Sequence, residues 1–227
     1  MSVDPTIFGI PSDNIAAFAN GATALAAACA AIVAYCGLHV WRREMKGRRN
    51  AELAEEVLAA FYEAQEIYRW VRTRGHFPNE ADSRVRQEEE DEKLGRALDA
   101  LFIPLARIKA EHETLSKLYA KRYRFRAIFG PEADKPFQAL RKAENQIASA
   151  ARMLTRLAIA DHRRGHRVYS ARELRPERVA QEEQNREKYQ ARIWGSEDED
   201  DEIAQRIDRA VKEIEAICRP AIEGRVK

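Results

Sequence analysis

The stretch Asn14–Trp41, NIAAFANGATALAAACAAIVAYCGLHVW, decides how this chain is read. It contains no Asp, Glu, Lys or Arg, although these four residues make up 33% of the chain. As a helix, its roughly 28 residues reach about 40 Å at 1.5 Å per residue, and a bilayer core needs only about 20 residues. Ile15, Phe18, Leu25, Ile32, Val33, Leu38 and Val40 carry the apolarity, with Ala filling most other positions. The unfavourable Asn20 and His39 lie towards the two ends. Tyr35 and Trp41 sit towards the basic end, where amphipathic rings favour the headgroup zone. The stretch therefore reads as one transmembrane helix over residues 14–41.

The flanks set an orientation. Trp41 is followed by Arg42, Arg43, Lys46, Arg48 and Arg49, a basic juxtamembrane segment over 42–49, whereas residues 1–13 contain only Asp4 and Asp13 as charged side chains. Excess Lys and Arg belong on the cytoplasmic side. The expectation is a single-pass protein of a bacterial inner (cell) membrane. Residues 1–13 form a short extracytoplasmic N-terminus, the five basic residues lie at the membrane surface, and residues 50–227 form a cytoplasmic domain.

Two other readings of the stretch fit less well. A cleaved signal peptide has its basic residues before a shorter apolar run, and here they follow a longer one. Val33-Ala34-Tyr35-Cys36 loosely matches a lipoprotein cleavage box, but the bulky Tyr before the Cys and the missing basic lead oppose it. A buried Ala-rich helix of a soluble protein leaves the length and the charge asymmetry unexplained. Ala22, Ala26, Ala30 and Ala34 recur every four residues, beside Gly21 and Cys29. Such a small-residue face lets membrane helices approach and supports a homo-oligomer; Ala-rich composition alone produces the same stripe, and the sequence leaves both readings open.

Composition bounds the remainder. With 39 Lys and Arg against 37 Asp and Glu, the net charge of +2 gives no global bias towards nucleic acid. Three Cys, two of them in the apolar stretch, build neither a disulfide framework nor a zinc site. Scarce Gly and Pro with abundant Ala, Glu, Arg and Leu point to an all-α domain.

Apolar residues at three- and four-residue steps place the helices. Leu53, Val57, Phe61, Ala64, Ile67, Tyr68 and Val71 mark one over about 50–74, closed by Gly75 and Pro78. The acidic run Glu88–Glu92 reads as a solvated helix start. A helix over 84–129, with Leu94, Leu98, Leu101, Leu105, Ile108, Leu115, Leu118, Phe125 and Ile128 on its stripe, is expected to kink at Pro104. Phe137, Leu140, Ile147, Ala151, Leu154 and Leu157 define a helix to about Arg164, with Asp134 as its N-cap. A polar helix spans 177–194. Ile203, Ile207, Val211, Ile214 and Ile217 define the last, which Arg219-Pro220 should end. Short connections predict an antiparallel bundle of about four long helices.

Tyr123-Arg124-Phe125-Arg126-Ala127-Ile128-Phe129-Gly130, Pro136-Phe137, Ala151-Arg152-Met153-Leu154 and Ile214-Glu215-Ala216-Ile217-Cys218-Arg219-Pro220 are the stretches that carry a likeness. In these the chain resembles a family of uncharacterised bacterial single-pass membrane proteins with a cytoplasmic helical domain. The resemblance covers most of residues 50–227. It implies an anchored helical architecture in a bacterial inner membrane and transfers no catalytic residue.

Chemistry-bearing patterns are few. His162 and His166 stand four residues apart, but Gly165 intervenes and Arg163, Arg164 and Arg167 repel a cation. Glu111-His112-Glu113 are consecutive on a helix and diverge. No Gly-x-Ser-x-Gly elbow and no phosphate-binding Gly-rich loop occurs. No catalytic residue, metal ligand or cofactor is assigned, and an enzyme reading is disfavoured. The best binding candidate is KLYAKRYRFR, Lys117–Arg126, where Lys117, Lys121, Arg122, Arg124 and Arg126 alternate with aromatics; Arg163, Arg164 and Arg167 form a second basic stretch. Helical phase turns Leu115, Leu118, Phe125 and Ile128 inward, so those cations read first as a solvated face. The expected function is a membrane-anchored helical module for protein–protein interaction or scaffolding. The alternative is a membrane-tethered nucleic-acid binder that uses the basic-aromatic surface.

Overall fold

The computed structural model describes residues 6–7, 10–75, 77–88, 90–166, 176–195 and 200–224. The described residues are all-α apart from a two-residue antiparallel ladder pairing Thr6 with Pro11 and Ile7 with Ile10. They form six α-helices: α1 (Ser12–Val71), α2 (Glu92–Ala110), α3 (His112–Phe129), α4 (Lys135–His166), α5 (Pro176–Ile193) and α6 (Glu202–Ile222). A 3-10 helix, Pro131–Asp134, precedes α4. The chain divides into two compact units, Met1–Asn50 and Ala51–Lys227.

In the first unit, α1 is the one helix among the described residues long and apolar enough to cross a membrane. From Thr23 to Trp41 every side chain is exposed, Leu25, Val33 and Tyr35 by 71%, 72% and 71%.

The second unit has two apolar cores. Leu53, Val57, Phe61 and Tyr68 of α1 meet Leu115, Leu118 and Phe125 of α3, Phe137, Leu140 and Ile147 of α4, and Ile203, Ile207, Val211 and Ile214 of α6. Phe61 stands edge-on to Phe137 at 4.9 Å between ring centroids, the T-shaped arrangement that ring quadrupoles favour. Ala150, Ala151 and Leu154 of α4 pack with Ile193 of α5 and with Leu101 and Leu105 of α2 in the smaller core. Helix α4 packs against α2, α5 and α6.

Several boundaries differ from those read in the sequence. The helix expected over 84–129 begins at Glu92, with Asp91 as N-cap accepting from Leu94 N at 2.7 Å, and is interrupted at Glu111 (φ −91°, ψ 11°) rather than at Pro104. Pro104 is buried within α2. The interruption falls where the apolar stripe lapses: between Ile108 and Leu115 only Ala110 is apolar, so no core contact holds the helical phase. Ile128, expected inward, is 39% exposed. Residues 84–88 and Glu90 are not helical, and Glu90 is no solvated side chain. Arg84 donates to both its carboxylate oxygens, at 2.8 and 2.7 Å, and that contact holds the Glu90 pKa down at about 2.

Asp134 does not cap α4. It accepts from the side chains of Arg122 and Gln138, and the chain enters α4 through the 3-10 turn after Gly130, whose φ of 92° suits only glycine without strain. Helix α4 runs through Gly165 to His166, and α6 passes Pro220 to Ile222. Burial of Ala221 carries the last turn of α6, which ends at Glu223 and Gly224 (φ 69°).

Candidate functional site

The structure disperses the predicted binding residues. Lys117 pairs with Glu113 at 2.7 Å, Lys121 with Glu56 at 3.1 Å, and Arg164 with Glu182 at 3.0 Å. Arg122 is bound bidentately by Asp134. Arg124, Arg126 and Arg163 are exposed, and Arg167 lies outside the described residues. Arg163 follows Arg141 on α4 by 22 positions, roughly 33 Å at 1.5 Å per residue. The juxtamembrane residues Arg42, Arg43, Lys46, Arg48 and Arg49 are all exposed on α1. His162 faces Asp91, Nδ1 to Oδ2 3.6 Å.

Two clefts on either flank of α4 gather basic residues instead. The first, of about 340 Å3, lies between α2, α3 and α4. Its polar lining is Lys109, His112, Ser116, Tyr119, Arg141, Glu144, Asn145 and Arg152. The second, of about 360 Å3, is lined by Arg122, Gln138, Arg141, Lys142, Asn145, Gln146, Ser149 and Arg192. Arg141 and Asn145 belong to both and form the ridge between them. Of the predicted cations, Arg122 alone reaches a cleft.

The local sequence explains this face. Between Lys135 and Ala160 there are five Lys or Arg and one acidic residue, Glu144, while Phe137, Leu140, Ile147 and Leu154 turn the opposite face into the cores. Glu144 is held from beneath. Its Oε2 accepts the Tyr68 hydroxyl at 3.0 Å and the Tyr119 hydroxyl at 3.1 Å, and the two hydroxyls lie 3.2 Å apart. Burial above all pushes both phenols well above their ordinary range, and the Glu144 carboxylate adds to it, so each remains a neutral donor. Arg141 stacks on the Tyr119 ring at 3.8 Å from its centroid and reaches Glu144 Oε1 at 3.5 Å. The one carboxylate of the clefts is thus engaged by three side chains.

The cations are engaged far less. Arg122 is neutralised by Asp134, but Lys109, Lys142 and Arg152 have no ion-pair partner among the described residues, and Arg192 Nε is buried with no hydrogen-bond partner there. Chemically the face offers guanidinium and ammonium groups, two serine hydroxyls and amide donors. That set binds anions, and guanidinium forks match phosphate and carboxylate oxygens.

The Arg122–Asp134 pair gives a pH signature. The Arg122 guanidinium, helped by Gln138, holds the Asp134 pKa down at about 2, against 3.8 unperturbed. A lowered folded-state pKa stabilises the fold above the unfolded value, and that contribution fades as the pH falls through the folded one. The difference in unfolding free energy between wild type and Asp134→Asn should therefore be constant at pH 5 and above and shrink between pH 4 and pH 2. Denaturant titrations at stepped pH read it, and a difference unchanged at pH 2 contradicts the pairing.

No protein-family model matches this chain, and neither a curated protein nor a solved structure proved similar to it. The likeness carried by Tyr123–Gly130 and Ile214–Pro220 therefore brings no residue roles to the clefts.

Proposed function

We propose that this is a single-pass membrane protein that holds its helical part, residues 50–227, at the cytoplasmic face of a bacterial inner membrane, where it acts by binding a protein partner. The observation that carries the anchor is the unburied apolar side of α1. Leu25, Ile32, Val33, Val40 and Trp41 are 57% to 72% exposed. Each large apolar side chain left in water forgoes about 1.5–3 kcal/mol of burial, and a bilayer supplies that burial. The exposed Arg42, Arg43, Lys46, Arg48 and Arg49 support the orientation, since they follow the apolar stretch directly.

Support for the binding role comes from α3. Tyr123 is 72% exposed with the Arg122 guanidinium 5.8 Å from its ring centroid, and Ile128 is exposed on the same helix. Tyr and Arg are the residue types that dominate interface energetics. The carboxylate pairing of Lys117, Lys121, Arg122 and Arg164 weighs against the nucleic-acid alternative, because these are four of the eight cations it would use. Self-association through the small-residue face of residues 14–41 is one form the partnership takes.

Alkaline extraction of native membranes tests the anchor. The full-length protein should stay in the pellet. Ala28→Arg with Ile32→Arg should release it, each central Arg costing about 2.5–3.5 kcal/mol of insertion. Full-length protein in the supernatant overturns the topology. Crosslinking in intact membranes tests the binding role, and recovery of monomer alone counts against it.

A further inference from the structure

We propose that the two clefts flanking α4 form one site for an anion that bears several phosphate groups. The strongest argument is the charge balance of the lining. Arg122 pairs with Asp134 and Arg141 with Glu144, while Lys109, Lys142 and Arg152 have no ion-pair partner among the described residues. Six Lys and Arg line the two clefts against one carboxylate, in a chain whose net charge is only +2. An acceptor-rich ligand completes what the protein leaves open.

The spacing sets the ligand's size. Arg141 and Arg152 are eleven positions apart on α4, about 16 Å along the axis. One phosphate cannot reach both ends, whereas a chain of phosphates can. Arg141, held against the Tyr119 ring, is the fixed cation on the ridge that the two clefts share, and Ser116 and Ser149 place a hydroxyl in each cleft. The phosphates come either from a soluble polyphosphate compound or from a lipid that bears more than one phosphate, and guanidinium and ammonium groups contact both in the same way.

The test uses the full chain in uncharged detergent micelles at about 0.15 M salt, where the screening length is about 8 Å. Inorganic tripolyphosphate is titrated calorimetrically in one arm, and cardiolipin, which bears two phosphates, is mixed into the micelles in the other. Lys142→Glu with Arg152→Glu should weaken binding by about tenfold or more, because it removes two charge-assisted contacts and adds two repulsions. Arg124→Glu, a charge reversal on an exposed residue outside the clefts, should leave binding within about twofold, since distant surface charges are largely screened. Lys142→Gln with Arg152→Gln carries the same expectation if the charge-reversed pair lowers the unfolding midpoint. Tripolyphosphate binding with this pattern supports the site and a soluble ligand; the pattern with cardiolipin alone supports the site and a lipid source. Absence of binding in both arms, or equal losses in Arg124→Glu and the Lys142/Arg152 variants, overturns the proposal.

Discussion

Replacing Arg107 by Met is expected to lower the stability of the helical unit by about 3–5 kcal/mol, the range for removing one partner of a buried ion pair. Arg107 is 2% exposed, and its guanidinium makes five hydrogen bonds. Nη1 donates to the carbonyls of Trp70 and Thr73 at 2.8 and 2.9 Å, and Nη2 to that of Gly75 at 2.6 Å. Nε and Nη2 also grip the Glu80 carboxylate at 2.8 and 2.9 Å, and the Trp70 ring centroid lies 5.1 Å from the guanidinium carbon. A helix ends with carbonyls that lack intrahelical donors. Here one side chain from α2 supplies donors to the chain leaving α1. Methionine fills a similar volume but leaves three carbonyls and a carboxylate without it. Lysine restores the charge but cannot reproduce the fork. Glu80→Gln keeps one acceptor and should cost less, about 1–2 kcal/mol. Urea unfolding followed by circular dichroism measures all three. An Arg107→Met variant within about 1 kcal/mol of wild type would show that water replaces the guanidinium, because buried unpaired groups of this kind normally cost more.

Arg107 also marks the boundary between what was legible and what was not. The stripes of Leu53–Val71, Phe137–Leu154 and Ile203–Ile214 were readable because each repeats apolar residues at helical spacing, and the cores use those residues. Composition alone placed the domain in the all-α class. Arg107 sits one residue before Ile108, and nothing local distinguishes it from a solvated arginine; its burial follows from where α1 ends against α2. The interruption at Glu111 was legible in principle, as the apolar gap from Lys109 to Thr114, but Pro104 gave the louder signal. The clefts were hidden for a different reason. Lys109, Arg122, Arg141, Arg152 and Arg192 come from four helices, and only packing makes them neighbours. A partial signal was present in the shortage of acids along α4, where Glu144 is the one carboxylate from Lys135 to Ala160. The more conspicuous KLYAKRYRFR run drew attention because its charges are adjacent in sequence, yet folding pairs several of them with carboxylates.

Asp201→Ala is the second substitution expected to act strongly, again by about 3–5 kcal/mol, because it strands a buried arginine and removes a helix cap. Arg72 Nη2 lies 2.9 Å from Asp201 Oδ2, with both side chains 5% exposed. Arg72 also donates to the carbonyls of Ala191, Arg192 and Trp194 at the end of α5, while Asp201 Oδ1 accepts from Ile203 N and Ala204 N at the start of α6. One ion pair therefore joins three helix ends. Asp201→Asn keeps an oxygen for the cap and should fall between wild type and Asp201→Ala. In a double-mutant cycle with Arg72→Met, the two losses should be less than additive by about 1–3 kcal/mol, since the second substitution removes a charge the first had already stranded. Additivity within about 0.5 kcal/mol would mean that each residue acts through its backbone contacts alone. The joint bears on the clefts too. The Arg72 guanidinium grips the carbonyl of Arg192, whose own side chain lines the second cleft. Loosening the joint frees the backbone that carries Arg192, so Asp201→Asn should weaken tripolyphosphate binding although Asp201 lines neither cleft. Conversely, tripolyphosphate bound to the folded state alone should raise the unfolding midpoint of Asp201→Asn, since a ligand that binds only the native form stabilises it by mass action.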